Sequence, residues 1–586
     1  EPIWVLARGS EAQGIHQRPA QPGQADPSAR IGSTAPPSLL ITFSPAPPPH
    51  PRALRQLRTK EGLVQGHGCL FHLGCGTRLC RDSGSRLLVC GEDGWGEEKV
   101  IVLFPFRLRP VETDPVHMRR SVILVDLLFI VIAIYKVAWV AASSPTCQLL
   151  RSSPLRPHSV TITEFGAVGD GVTLNTKAFQ NAIFYLQSFA NKGGAQLFVP
   201  AGKWLTGSFS LISHLTLSLD EDAVILGSMD PTDWPIIDPL PSYGRGRELP
   251  GGRHQSLIFG SNLTDVIITG RNGTVDGQGS VWWDWFKNHT LNHTRPPLVE
   301  LMYSTGVVIS NLTLKNSPFW AVHPVYCSQV LIQNVTILAP PDSPNTDGID
   351  PDSSNNVCIE DCYINTGDDL IVIKSGWDEY GISFAHPSSN ISIRGIVGES
   401  KTGAGIAFGS EMSGGISEVQ AEDIHLFNSK HGIRIKTSPG RGGYIQNIVV
   451  SDVTMTNVDM AFRISGQYGE HPDEHYDPEA LPSINRITIR DIVGTNIKHA
   501  GLLDGIKGDA FRDICLSNIV LDVTSKHPWN CSYLEGYSNL VSPEPCEPIR
   551  KPIPEGSSVC YSFDHRRPQS SSGNRLVSTL MKIVFL

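Results

Sequence analysis

The chain has no excess of positive charge. Its 48 Lys and Arg face 57 Asp and Glu, for a net charge of -9. That balance argues against a nucleic-acid binder, which normally presents a basic face, and leaves any polyanionic partner to be held by local Arg and Lys rather than by the overall field. Helical periodicity is equally scarce. Apart from AFQNAIFYLQSFA (178–190), few stretches place apolar residues at helical spacing, too few for alternating strand–helix units. Two-residue hairpin signals are rare between the strand-like phrases described below, which weighs against an antiparallel sandwich. A zinc pattern is also missing: Cys69, Cys75, Cys80 and Cys90 fit no common ligand spacing, and no second ligand cluster follows. Glycine and proline, at 55 and 43 residues, are instead plentiful and imply many turns.

The chain divides unevenly. Residues 1–117 are rich in Pro, Arg, Gly and Ser and show no sustained helical or strand period, so they read as a low-complexity upstream extension, disordered or a gene-prediction artefact. Residues 118–143 run from Met118, Arg119 and Arg120 through an apolar stretch to Ala141, Ala142 and Ser143, the order of a secretory signal peptide. An uncleaved anchor is the alternative if Lys136 is tolerated within the apolar run. Residues 155–565 form the main domain, and 566–586 a C-terminal tail. Eight cysteines follow the signal-like segment. An even number in an exported chain favours disulfides, with Cys358 and Cys362 close enough in sequence for a local bridge and the late cysteines able to pair among themselves. Sequons at Asn262, Asn272, Asn288, Asn292, Asn311, Asn334, Asn390 and Asn530 agree with export.

From Thr264 onward a phrase recurs: a β-branched run, a polar corner, a second β-branched run. GVVISNLTLKNS, VLIQNVTILAP and FRDICLSNIVLDV are examples. The corners Asn311, Asn334, Asp361, Asp423, Asp452, Asp491 and Asn518 return at intervals of roughly 23 to 39 residues, apart from a double-length gap between Asp361 and Asp423. Short strands repeating at that length predict an all-β fold, a right-handed parallel β-helix whose equivalent positions stack about 4.8 Å apart. The helical stretch from 178 caps its N-terminal end, and the cysteine-bearing tail after Cys515 covers the other.

In such a solenoid one coil of sequence becomes one strand spacing. Asp347 in NTDGID and Asp368 in GDDLIVIKSG are 21 positions apart and therefore face the same way on neighbouring coils, with Asp369 beside them. Arg434 and Lys436 in HGIRIK project from one face, two coils farther and roughly 10 Å along the groove. Crowded carboxylates are unfavourable unless they do proton chemistry or bind a cation. Taken singly, the aspartates also read as turn residues and the Arg–Lys pair as a solvated face. Trp282, Trp283 and Trp285 either stack on sugars or pack a loop.

NTDGID, GDDLIVIKSG and GIRIK, in that order, together with the opening TITEFGAVGDGVTLNTKAFQNAI, resemble the signature segments of glycoside hydrolase family 28, the polygalacturonases. The resemblance covers roughly residues 159–560. It implies a β-helix that hydrolyses α-1,4 bonds between galacturonic acid residues of pectin by an inverting mechanism. It assigns the general acid to Asp368, water activation to Asp347 and Asp369, and substrate binding to Arg434, Lys436 and Asn345, with Glu411 as a further polar contact. It implies no cofactor or metal, a pectic polysaccharide as partner, a monomer, and a secreted, cell-wall location with membrane contact only during export. One departure stands out. The family carries a histidine where KTGAGIAFGSE places Ala404 (or Gly403), and His425 and His431 are the nearby candidates to replace it. Two other readings stay open: a calcium-dependent lyase on the same fold, and a wall-binding β-helix that has lost its chemistry. Whether cleavage is internal or terminal depends on whether 244–253 and 466–483 block the groove.

Overall fold

The computed structural model describes residues 69–73, 77–81, 87–92, 98–102, 155–555 and 559–562. The signal-like segment 118–143, Cys147 and the tail 566–586 lie outside the described residues. Two compact units are present, 1–120 and 121–586. In the first, Cys69–Leu73, Thr77–Arg81, Leu87–Glu92 and Glu98–Val102 form an antiparallel meander. This differs from the expectation that 1–117 lacks strands. The physical reason is that hairpin register rests on cross-strand pairing and glycine-bearing connections, which a search for period-two patterning does not detect.

The second unit is the right-handed parallel β-helix. Among the described residues its largest sheet runs, in parallel register, from His158–Thr161 to Leu534–Ser542. Each coil stacks an aliphatic on the one below: Val307, Val330, Val357, Ile391, Val419, Ile448, Ile487 and Ile514 are successive register partners, all buried. β-branched side chains fill such a pleated, half-buried surface well. A second inward column, Ile349, Ile371, Ile406, Ile433 and Phe462, belongs to the sheet that carries the site.

The expected corners are found. Asn311, Asn334, Asp361, Asp423, Asp452, Asp491 and Asn518 all adopt φ between 51° and 58°, the left-handed conformation that Asn and Asp tolerate best after glycine. Some stacked corner amides also bond to one another, as Asn334 Nδ2 does to Asn311 Oδ1 at 2.8 Å. At the N-terminal end the helix Thr176–Gln187 buries Ala178, Phe179, Ala182, Ile183 and Leu186, and Phe179 stacks on Phe209 at 4.5 Å.

The late cysteines pair as Cys515–Cys560 and Cys531–Cys546. The Cys358–Cys362 bridge does not form. Cys362 is a free buried thiol and Cys358 is disulfide-bonded elsewhere. Asp361 turns the chain between them, so Cys362 enters the main core while Cys358 joins a separate cluster with Ile267, Val308 and Leu331.

Candidate active site

Asp347 and Asp369 are placed by register. Ile349 bridges to Ile371 across one coil boundary, so the residues two positions earlier on each strand stack as well. Asp368 precedes Asp369 at the entry to Ile371–Ile373. Gly403 lets the next coil close over this turn: a Cβ there would lie 2.3 Å from the Asp368 carbonyl carbon and the Asp369 nitrogen. One oxygen from each of Asp347, Asp368 and Asp369 falls within 4.8 Å of the others.

The three carboxylates differ in their surroundings. Asp369 is buried; its Oδ1 accepts the Ala404 N–H at 2.7 Å and its Oδ2 accepts Lys436 Nζ at 2.7 Å. Burial works to raise its pKa, but Lys436 and Arg434 outweigh it and hold the group below the usual carboxylate range. Asp368 is half-buried, and its Oδ1 accepts the Asp369 N–H at 2.9 Å. Burial, and then the charges of Asp347 and Asp369, push its pKa up to about 8. Burial also raises Asp347, opposed by Lys374, and Oδ1 of Asp347 has no protein hydrogen-bond partner. The adjacent Asp350, wholly buried, is raised well above the ordinary value by burial and by Asp347.

Lys436 does not lie 10 Å away as its register suggested. Lys436 is two coils beyond Lys374 in register, but its side chain reaches back to Asp369. Arg434 is half-exposed, with a buried Nε that lacks a hydrogen-bond partner, and its guanidinium lies 5.4 Å from the Tyr468 ring. Three carboxylates this close also offer the oxygen ligands a hard cation takes. Here Lys436 and Lys374 bring positive charge to the cluster from within the chain.

Other predicted residues are placed as follows. Asn345, at φ 54°, has its Oδ1 bonded by Arg295 Nη2 at 2.9 Å and lines the same cleft. Glu411 is buried, accepting Lys374 Nζ at 3.1 Å and Arg247 Nε at 2.8 Å, and these partners hold it ionised against burial. His431 is the register partner of Ala404 on the next coil, buried, with Nδ1 unbonded; burial and Arg434 lower its pKa to about 4, so its imidazole is neutral near pH 7. His425 sits on the exposed face of Ile416–Phe427, in the large sheet, bonded to Thr454. Trp282 and Trp283 are buried in the helix Ser280–Lys287 and Trp285 packs edge-on to Trp282; none of the three lines the cleft, whereas Phe286 does.

Sequence reasoning missed several residues. Lys374, within GDDLIVIKSG, lies 3.8 Å from Asp347 and 3.7 Å from Asp350, over the Trp320 ring at 4.4 Å. Its place could have been read from strand alternation, since Val372 and Lys374 share the face opposite Ile371 and Ile373. Arg247, Trp377 and Tyr468 come from loops and left no periodic signal.

One oxygen of each carboxylate lies within 4.8 Å of the others, short of the 6.5–9.5 Å between carboxyl groups general for inverting hydrolases. An inverting outcome therefore rests on resemblance and not on this distance.

Residues 247–542 match the profile described as glycosyl hydrolases family 28. A probable polygalacturonase of Vitis vinifera is 56% identical over 408 residues, 69% of this chain and 83% of that protein. A hyperthermoactive exopolygalacturonase from Thermotoga maritima superposes with a TM-score of 0.59 at 29% identity, over 67% of this chain and 93% of that one. The polygalacturonase from Erwinia carotovora ssp. carotovora gives 0.53 at 25%, over 66% and 98%. With its acid cluster, its parallel coils and a relative this similar across most of its length, the chain belongs to glycosyl hydrolase family 28.

Proposed function

We propose that the protein is a polygalacturonase that hydrolyses α-1,4 bonds between galacturonate residues of pectin, with Asp368 as the general acid. The observation that carries this reading is the meeting of three carboxylates, two of them lining one cleft, with one holding its proton to about pH 8 and one kept ionised by Lys436. Asp368 gives its proton to the leaving glycosidic oxygen. Asp347, whose Oδ1 is unengaged, and Asp369 orient and deprotonate the attacking water. Arg434 and Lys374 hold substrate carboxylates by charge-assisted hydrogen bonds, with Asn345 and Glu411 as polar contacts; Lys436 acts chiefly through Asp369. By resemblance to the family, the water attacks opposite the leaving oxygen and inverts the anomeric carbon. The substrate is a wall polymer, so the reading carries export to the cell wall with it, and the enzyme works as a monomer.

Reducing-end release from polygalacturonate tests the activity. Asp368→Asn should lower kcat by about 10²–10⁴-fold with KM little changed. Unsaturated, ultraviolet-absorbing ends would identify a lyase instead, and NMR of the first product would show whether the anomeric configuration inverts.

A further inference from the structure

We propose that the cleft is closed along one edge by a strap built from two distant loops, 244–253 and 466–483, and that the enzyme therefore removes sugar from a chain end. This rests on the hydrolase reading above and specifies how that site meets its polymer.

The two loops touch each other. Arg245 Nη1 donates to the Pro472 carbonyl at 2.5 Å, and Arg247 Nη2 to Glu470 Oε2 at 2.7 Å. Both are anchored to the solenoid. Arg247 also bonds Glu411 and lies 4.3 Å over the Trp377 ring, whose Nε1 donates to the Glu470 carbonyl at 3.2 Å. Arg441, fully buried, pairs with Asp378 and donates to the Glu470 carbonyl. His471 contacts the same Asp378, and Tyr380 Oη donates to Asp473 at 2.7 Å. On the other side, Glu248 is held by the buried Arg295, which also bonds Asn345.

These contacts tie the strap to the walls of the site itself. Arg245, Arg247 and Glu248 line the cavity from one loop, and Tyr468, Glu470 and His471 from the other; Asp347 and Asp368 lie within it. Its volume is about 410 Å³, toward the low end of the roughly 300–1,000 Å³ usual for small-molecule pockets. An internal bond reaches the acids only if the polymer continues past them in both directions. A closed edge removes one of those directions, and the cavity that remains holds the terminal sugars. The pairs that anchor the loops, Arg247–Glu411, Arg295–Glu248 and Arg441–Asp378, are buried or half-buried, and removing one partner from such a pair is strongly unfavourable, so each loop stays seated; Glu470, which joins the loops through Arg247, is exposed.

The test uses the full chain on polygalacturonate, following reducing ends, viscosity and product size together. Small products from the first turnovers, with viscosity nearly unchanged while reducing ends accumulate, are expected. A ladder of oligomers with early loss of viscosity overturns the chain-end inference and leaves the hydrolase reading intact. No reducing ends overturns both. Replacing 469–478 by a short Gly-Ser link should open the edge and shift products toward oligomers; a folded variant, checked by circular dichroism, that still gives only the smallest products also overturns the role of the strap. Should that variant not fold, Arg245→Ala carries the same expectation and the same adverse outcome.

Discussion

Asp368 and Asp369 are neighbours in sequence and opposite in ionisation. The difference comes from what each touches: Asp369 gains Lys436 and a backbone N–H, whereas Asp368 gains a backbone N–H and the field of two carboxylates. Two consequences follow for pH. With Asp368 as the proposed general acid, the reaction requires its protonated form, so kcat/KM in the free enzyme should fall as pH rises through about 8, and a pH–rate profile that keeps this limb after Asp368→Asn would remove the assignment. Stability moves in the same direction. A carboxyl with a folded pKa above its unfolded value binds a proton on folding, so its contribution is intact below the ordinary carboxyl range and is lost as pH climbs toward about 8. Asp368→Asn should therefore melt higher than the parent at pH 7.5, by about 2 °C or more, trading activity for stability. A lower melting temperature at that pH would show that the site is not strained by Asp368.

At the scale of the element, the coil corner is the unit that repeats. A left-handed residue within each long strand redirects it, as Asn311, Asn334 and Asp361 do inside Thr305–Lys315, Ser328–Leu338 and Asn355–Thr366, and the side chain at that corner is Asn or Asp because both tolerate positive φ. Asp361, exposed at φ 53°, tests this without touching the site. Asp361→Ala should cost about 1–2 kcal/mol in urea unfolding, and Asp361→Gly clearly less. Equal costs would locate the effect in the side chain's contacts instead of the backbone. The same corners explain part of the sequon count. Asn311 and Asn334 are sequon asparagines whose side chains bond to each other across coils, so the N-x-T pattern at these positions also has a structural cause. Corner chemistry also decides the cysteines: the turn at Asp361 sends Cys358 and Cys362 to different faces, which proximity in sequence does not reveal.

For the whole molecule, a solenoid is close to one-dimensional, each coil stabilised by its neighbours and its ends by caps. Phe179, fully buried in the capping helix and stacked on Phe209, is the place to test the N-terminal cap. Phe179→Ala should cost about 3–5 kcal/mol, with hydrogen exchange rising first in the coils next to the helix and last around Asp368. Uniform exchange across the coils would mean that the β-helix unfolds as one unit. The net charge of -9 gives no long-range attraction for a polyanion, so the proposed recognition rests on local cations, of which Lys374 lines the cleft, where desolvation strengthens each contact.

The repeat of β-branched runs and Asn/Asp corners was enough by itself to determine the β-helix, and the interval between NTDGID and GDDLIVIKSG was enough to bring Asp347, Asp368 and Asp369 together, because in a solenoid sequence distance maps onto coil number. Tertiary structure alone decided the rest. That Lys436 pairs with Asp369 across 67 positions, that Lys374 serves Asp347, and that Arg247 meets Glu470 across 223 all depend on side-chain reach and on the paths of irregular loops. Loops carry no period, and reach is set by what packs around the stem, so neither is written in the spacing of the residues.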